Sequence, residues 1–275
     1  MTTVSLRLTA VESAWIAQHS EKFSSLDEYA TLSAELDPTH EHSVAWIDCV
    51  SQGKGFGRGI LMLGNNARRE EVPSGKELLK VHPAPKLDVP FNAPGWALNP
   101  FTVLAFNELY YRRQFKKQVN NVIHYEPFFY PLDAVHNWNR IYGRRGFFQY
   151  QTVVPDGPGI GAVREMLQRV TQSGQASFLA VLKRFGDVPS PGLLSFPRPG
   201  YTLALDIPNR GAETLALMKD LDAITWEAGG AWYPAKDARM SRESFEHSYP
   251  RLPEFLKQKD PAFSSDFWKR LGYDS

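Results

Sequence analysis

Residues 128–155 read FFYPLDAVHNWNRIYGRRGFFQYQTVVP, and the last eight residues before the final proline give the clearest indication of the fold. Phe147–Val154 alternates as a β-strand does, and a proline ends it. Because successive side chains of a strand point to opposite faces, Gln149 and Gln151 share one face with Val153. Glutamine is mostly exposed, so covered glutamines need hydrogen-bond partners, and a polar ligand is one candidate. A solvated strand face explains the two glutamines equally well, and both interpretations stay open at this point.

The segments after this strand predict the fold class. Apolar periodicity indicates helices over 157–172 and 211–228, and β-type runs cover 176–185, 201–207 and 231–235. The order is therefore strand, helix, strand, strand, helix, strand, which is the ferredoxin-like split unit. Such a unit forms an antiparallel sheet with helices on one face and leaves the other face free to cover a ligand or another domain. We expect an α+β protein.

The first half of the chain repeats the order strand, helix, strand, strand. Its predicted strands are 3–8, 15–19, 43–50 and 58–63, and its predicted helices are 25–36 and 99–117. Together with the second half this predicts an antiparallel sheet of about seven strands with helices on one face. Residues 65–99 are rich in proline and predict a long irregular excursion. Short helices are predicted beyond Ser241, the last over 264–271.

Composition excludes several classes of protein. The formal net charge of +1 gives no bias towards nucleic acid or anionic membranes, and the hydrophobic content of 43% suffices for a sizeable core. The lone Cys49 rules out an internal disulfide and fits a reducing compartment, so we expect a cytoplasmic protein. We expect no membrane span, since no apolar run is long enough. Of the seven histidines only His40 and His42 lie close in sequence, which predicts no metal site.

Charged residues at strand ends are the remaining candidates for a site. Lys183 and Asp206 lie near the ends of consecutive predicted strands, in apolar surroundings. A buried ion needs a partner, so the two could pair with each other, or they could serve a ligand. Lys236 follows the last predicted strand, where ligands commonly lie.

Several separate motifs carry a family resemblance. They are FYPLDxxxxWNRxYGxxGFxQYQxVxP, SFLxVLKxFG, LSFPxPGYTLxLD, GGxxYxAKDxR and YPR, spread densely from Phe129 to Leu271. In order and spacing the chain resembles the FAD-linked oxidases of the vanillyl-alcohol-oxidase superfamily. The resemblance implies an FAD-dependent oxidoreductase that oxidises a secondary alcohol of a sugar- or polyol-like substrate by hydride transfer to flavin. It is specific for the family and leaves the substrate open.

The resemblance also assigns roles by position. It implies substrate contacts for Gln149, Gln151, Lys183, Phe185 and Asp206, by analogy with the glutamines, lysine, aromatic residue and acid of the family's pocket. Thr202 and Ala204 stand where an asparagine and a cysteine are found in the family, so we expect altered pocket chemistry around Thr202.

Two further residues are implied to face the flavin. Tyr233 and Lys236 match the pair beside the ring in this family, and Lys236 is the candidate catalytic residue. A lysine there stabilises the negative charge that develops on the ring when hydride arrives.

The domain prediction follows from what the sequence matches. The family's N-terminal flavin domain has no counterpart here, so we assign residues 1–12 to its last strand, 13–230 to the substrate-binding (cap) domain and 231–275 to a segment returning to the flavin domain. FAD is expected to require that further domain, in cis or on another chain, and this chain alone is expected to be inactive and to hold FAD weakly. A non-catalytic ferredoxin-like binding module and a partner subunit without flavin remain the alternatives.

Overall fold

A computed structural model describes residues 3, 5–81, 87–175, 179–236 and 239–273. The strands in these ranges are β1 (Trp15–Phe23), β2 (His42–Ile47), β3 (Gly59–Asn66), β4 (Leu87–Asp88), β5 (Gln118–His124), β6 (Val135–His136), β7 (Phe147–Val154), β8 (Ala180–Phe185), β9 (Gly200–Pro208) and β10 (Ala231–Trp232). The α-helices are α1 (Leu26–Leu36), α2 (Pro100–Arg112), α3 (Tyr125–Phe129), α4 (Asp156–Ser173), α5 (Ala212–Glu227), α6 (Arg242–Ser248), α7 (Leu252–Leu256) and α8 (Asp266–Arg270).

One antiparallel sheet dominates the described residues. Its eight strands follow the order β10-β7-β9-β8-β2-β3-β1-β5, while β4 and β6 form a separate parallel pair. The predicted α+β class and antiparallel sheet are confirmed, with one strand more than the seven expected.

The sheet consists of two units with mirrored strand order. The N-terminal unit is β1, α1, β2, β3, α2 and β5, and the C-terminal unit is β7, α4, β8, β9, α5 and β10. In both units the first and third strands are central, the fourth strand lies at the outer edge, and the second strands β2 and β8 meet at the boundary. There Ala45 pairs with Leu182 and Trp46 with Val181. The repeat predicted from the sequence is thus a repeat of topology as well.

The main core lies between the sheet and the helices α1, α4 and α5. Helix α4 buries Val163, Met166, Leu167 and Val170, each fully inaccessible to solvent, as its apolar periodicity predicts. It ends at Gly174, whose φ of 65° is left-handed backbone that glycine adopts without strain.

Several predicted boundaries are corrected by the structure. The strand predicted over 231–235 ends at Trp232, because residues 234–236 turn into a 3₁₀ helix. The helix predicted over 99–117 ends at Arg112, where Gln114 donates its side-chain amide to the carbonyls of Ser20 and Lys117 and helps turn the chain into β5. Part of the run predicted over 176–185 lies outside the described residues, and the described strand begins at Ala180.

Within the described residues, the first strand predicted over 3–8 is not formed. Residues 5–10 pair with no other strand in the described part of the molecule, and Leu6 and Leu8 are exposed. The assignment of 1–12 to a flavin domain therefore stays a prediction, as do the other domain boundaries.

Candidate functional site

The sheet face opposite α1, α4 and α5, which we call the open face, carries the polar residues singled out in the sequence. Paired residues of antiparallel strands point to the same side. Gln149 pairs with Asp206, and Thr202 pairs with Lys183 on one side and with Val153 on the other. Since Gln149, Gln151 and Val153 alternate along one strand, all five polar residues of the prediction share this face.

A line of hydrogen bonds crosses the outer part of the open face. The Lys236 ammonium Nζ donates to Gln149 Oε1 at 3.0 Å, and Gln149 Nε2 donates to Asp206 Oδ1 at 3.0 Å. The cation on one end and the carboxylate on the other hold the amide in a single orientation. Gln149 therefore links Lys236 to Asp206.

The Asp206 carboxyl lies in an unfavourable place for a charge. It is 8% exposed, and burial raises its pKa from the ordinary 3.8 to about 6, against the opposing effects of the Gln149 hydrogen bond and the Lys236 charge. A carboxyl with such a pKa changes protonation state close to neutral pH.

Lys183 does not neutralise Asp206. Among the described residues no ion pair or hydrogen bond joins the two, and burial lowers the pKa of the Lys183 ammonium. The simple pairing that the sequence left open is therefore wrong. A half-buried cation without such a partner suits an anionic or hydroxylated ligand.

The second glutamine has partners as well. Gln151 Nε2 donates to the Thr202 hydroxyl at 3.1 Å, and the backbone of the same residue accepts at its carbonyl from the backbone N–H of Tyr233 at 2.9 Å. Thr202 is 1% exposed, whereas both glutamines are half-buried. Of the two interpretations of the glutamines, the hydrogen-bonded, partly covered face agrees with the structure.

The predicted residues line two cavities instead of one. Gln149, Gln151, Tyr233 and Lys236 line a cavity of about 90 Å³ at the β7–β10 edge, which we call the polar cavity. Lys183 and Phe185 line a groove of about 1900 Å³ that extends over the N-terminal unit, which we call the wide groove. The first group therefore meets at one cavity, and Lys183 lies outside the lining of that cavity.

Several aromatic residues in or next to the linings of these cavities were not predicted from the sequence. Trp46 of β2 and Tyr110 of α2 line the wide groove, with ring centroids 4.7 Å apart. Phe196, between β8 and β9, stacks on Tyr233 at 4.6 Å. The pattern that could have revealed Trp46 is the alternation of β2, which places it opposite the buried Ala45 and Ile47.

The described residues contain neither a metal-binding cluster nor a membrane-spanning helix. No cluster of three or more His, Cys, Asp or Glu side chains in the described ranges has the geometry to hold a metal ion. No helix in those ranges is both long and apolar enough to cross a bilayer.

Comparison with known proteins identifies the relatives. The chain is 33% identical over 279 residues to decaprenylphosphoryl-β-D-ribose oxidase of Mycolicibacterium smegmatis, an alignment that covers 97% of this chain and 59% of that protein. The resemblance to the FAD-linked oxidases is confirmed. The chain thus spans about three-fifths of the length of this relative.

Two further matches span most of this chain. A Streptomyces coelicolor protein, described as an uncharacterized protein in the mprA 5′ region, is 28% identical over 284 residues, covering 98% of this chain and 76% of its own length. The solved structure of Physcomitrella patens BBE-like 1 covers 91% of this chain and 52% of its own at 11% identity, with a TM-score of 0.49. No family model matches the chain.

Proposed function

We propose that this chain is the substrate-binding part of an FAD-dependent oxidoreductase that oxidises a secondary alcohol of a sugar- or polyol-like substrate. The observation that carries the proposal is the hydrogen-bonded line from Lys236 through Gln149 to Asp206 on the open face. The relationship to a ribose oxidase supports the same chemistry. When bound, the flavin supplies the hydride acceptor.

We expect Tyr233 and Lys236, which line the polar cavity, to adjoin one edge of the flavin ring. Lys236 is half-buried and donates one of its three N–H bonds to Gln149, so the ammonium is held in place while still facing the cavity. Tyr233 beside it offers an aromatic face that Phe196 already stacks against from the other side. A fixed positive charge there favours the negative charge of a reduced ring.

The remaining polar residues bind and orient the substrate. The amides of Gln149 and Gln151 hold substrate hydroxyls, because oriented donors and acceptors fix the carbinol carbon for transfer. Asp206 acts on Gln149, whose amide it orients, and Thr202 does the same for Gln151. Lys183 and Phe185 bind the part of the substrate that enters the wide groove.

The test follows flavin reduction under anaerobic conditions, using the chain together with a flavin-binding domain on one polypeptide or two. Lys236→Ala and Lys183→Ala are expected to slow reduction by substrate about tenfold to a hundredfold, because each loses a charge-assisted contact of ~1.5–3 kcal/mol. Lys219→Ala is the matched control, since Lys219 is exposed on α5, away from the open face.

Unchanged reduction rates in both variants, with flavin still bound, contradict the proposed roles. If polyols bind this chain while no flavin is ever reduced, a non-catalytic binding module becomes the better description of the protein.

A further inference from the structure

The two edge strands of the eight-stranded sheet differ in how they are protected against pairing with another chain. Strand β10 at one edge has two residues, and Pro234, which has no N–H group to donate, follows shortly after it. Strand β5 at the other edge has seven residues, QVNNVIH, with no proline, no glycine and no Asp, Glu, Lys or Arg. Short length, proline and charged side chains normally keep an edge strand from pairing with a second chain, and β5 lacks all three.

The outer side of β5 presents backbone groups that point away from the sheet. In the described ranges, no strand pairs with this side. The Lys22 N–H donates to the Lys117 carbonyl at 2.9 Å, and the Tyr125 N–H donates to the Ala14 carbonyl at 3.0 Å, so the odd-numbered residues of β5 bond to β1. The N–H and C=O groups of residues 118, 120, 122 and 124 therefore point outward.

The side chains along β5 are accessible as well. Gln118, Asn120 and Asn121 are exposed, and the other side chains of the strand are half-buried. Residues 77–80 reach the strand at its last residue, where the His124 ring donates to the Lys80 carbonyl at 2.8 Å. The stretch before His124 can therefore be approached by another chain.

Strand β5 is complementary to a second copy of itself in the antiparallel register that uses its full length. This register places Asn121 of both copies on a two-fold axis, and the remaining pairs between the copies are Gln118 with His124, Val119 with Ile123, and Asn120 with Val122. Because the even-numbered residues pair with one another, each outward N–H faces an outward carbonyl. On the side of the wide groove, Val119 meets Ile123 in an apolar cross-strand pair.

The residues that flank the strand add charge complementarity. Lys116 lies two residues before β5, and Glu126 lies two residues after it. Antiparallel pairing about Asn121 brings Lys116 of each copy to the end of the strand where Glu126 of the other copy lies. Opposite charges at both ends favour this register over a shifted one.

We propose that two copies of this chain associate through β5 in this register and form one continuous sheet across a two-fold axis. Val119, Asn121 and Ile123 line the wide groove, so the wide grooves of the two copies adjoin along the axis. A single strand pair buries less than the ~1,600 Å² of a standard stable interface, and we therefore expect a reversible dimer with a micromolar Kd. The interface rests on backbone groups and strand register, and it does not depend on the proposed function.

Sedimentation equilibrium of the purified chain over a series of concentrations tests the proposal. The wild type is expected to pass reversibly from monomer to dimer as the concentration rises. Val122→Pro removes an outward N–H and leaves the bonds to β1 in place, so it should weaken dimerisation about tenfold or more. Asn121→Lys places two ammonium groups face to face across the axis and should have the same effect. Gln172→Lys adds the same charge at an exposed position of α4 and, as the matched control, should leave the Kd unchanged.

Oxidative cross-linking tests the register. Facing residues of a non-hydrogen-bonded pair have Cα atoms about 4.5 Å apart, which is within the range of a disulfide. Asn121→Cys is therefore expected to give a disulfide-linked dimer under mild oxidation. Gln118→Cys is the matched control, because the two copies of residue 118 lie about 20 Å apart in this register. Cys49 is buried, so we expect it not to compete.

The proposal is overturned if the wild type stays monomeric at every concentration, or if Gln118→Cys cross-links and Asn121→Cys does not. It is also overturned if Asn121→Lys dimerises as the wild type does, and this exposed position decides the question should the proline variant not fold. An open-ended aggregate would contradict it too, because a two-fold contact closes at two copies. Flavin reduction plays no part in these measurements, so the dimer and the proposed function fail separately.

Discussion

Asp48 in the N-terminal unit and Asp206 in the C-terminal unit are both buried, yet their pKa values move in opposite directions. Burial tends to raise both. At Asp48, hydrogen bonds from Ser51, Asn107 and two backbone N–H groups outweigh burial and lower the pKa. At Asp206, the hydrogen bond from Gln149 and the Lys236 charge do not, and the pKa rises to about 6.

The difference in pKa follows from the number of hydrogen-bond donors that surround each carboxylate. Asp48 accepts six hydrogen bonds from the backbone of Val50 and Ser51 and from the side chains of Ser51, Arg58 and Asn107. This satisfied cluster ties α2 to the sheet. Asp206 has spare acceptor capacity and adjoins the polar cavity through Gln149. An incompletely satisfied buried carboxyl is typical of a binding or catalytic site.

The second helices of the two units differ in the same way. Helix α5 buries Leu217, Met218, Leu221 and Ile224 against the core. Helix α2 buries only Val103 and Asn107 and leaves Phe101 and Leu109 exposed. We conclude that α5 stabilises the sheet by apolar packing, whereas α2 is held by polar contacts.

The largest expected effect comes from the apolar packing of α5. Leu221→Ala should lower the free energy of unfolding by about 4 kcal/mol, since the side chain is 0% exposed and its removal leaves a cavity. Leu109→Ala on α2 is the matched control and should change it by less than about 0.5 kcal/mol, because Leu109 is 72% exposed. Urea denaturation measures the free energy of unfolding of both variants. Similar losses would show that the two helices do not differ in apolar packing.

The next largest effect is the pH dependence of stability, which should differ between Asp206 and Asp48. Because the folded-state pKa of Asp206 is raised from 3.8 to about 6, its contribution to stability is present below about pH 4 and is lost as the pH rises through 6, a change of about 3 kcal/mol. Relative to Asp206→Asn, the wild type should therefore become less stable from pH 4 to pH 6.5 in urea titrations.

Asp48→Asn should give a slope of opposite sign, and in a lower pH range, below about pH 4. The lowered pKa of Asp48 means that its contribution is present above the unfolded-state pKa of about 4 and is lost as the pH falls through the folded-state value. Parallel pH profiles for the two variants would show that the environments of the carboxyls do not differ as described.

A smaller effect is expected from the polar tie to α2. Arg58 bridges Asp48 and Glu108 of α2 and its side chain is 14% exposed. Arg58→Met should cost about 2 kcal/mol, below the value for a fully buried pair, because solvent reaches part of the guanidinium. Arg58→Lys should recover part of this stability in the same denaturation assay. If Arg58→Lys alone lost stability and Arg58→Met did not, the proposed bridge from Arg58 to Asp48 and Glu108 would be contradicted.

The smallest effect tests how independently α2 opens. The side-chain carbonyl of Asn99 accepts from the N–H groups of Phe101 and Thr102 and caps the helix. Asn99→Ala should cost about 1 kcal/mol. Because few α2 residues reach the core, hydrogen exchange should accelerate in α2 and not in α5. Equal acceleration in both helices would show that α2 opens only with the whole molecule.

The sequence alone determined the elements of the C-terminal unit and the face that carries its polar residues. Strand alternation in Phe147–Val154 and the helical periodicity of α4 are local properties, so they can be read without any tertiary contact. The same alternation placed Gln149 and Gln151 side by side, and the family resemblance added Lys236 and Tyr233.

Which of these residues meet, and in what state of protonation, depends on contacts between distant parts of the chain. The link from Lys236 through Gln149 to Asp206 joins three separate elements, and no local pattern encodes such a distance. Phe196 carries no periodic signal, because it lies in the irregular segment between β8 and β9. The burial of its side chain depends on contacts with Tyr233 and Phe185. The opposite pKa shifts of Asp48 and Asp206 likewise depend on how many donors the fold brings to each carboxyl, which is a property of three-dimensional packing.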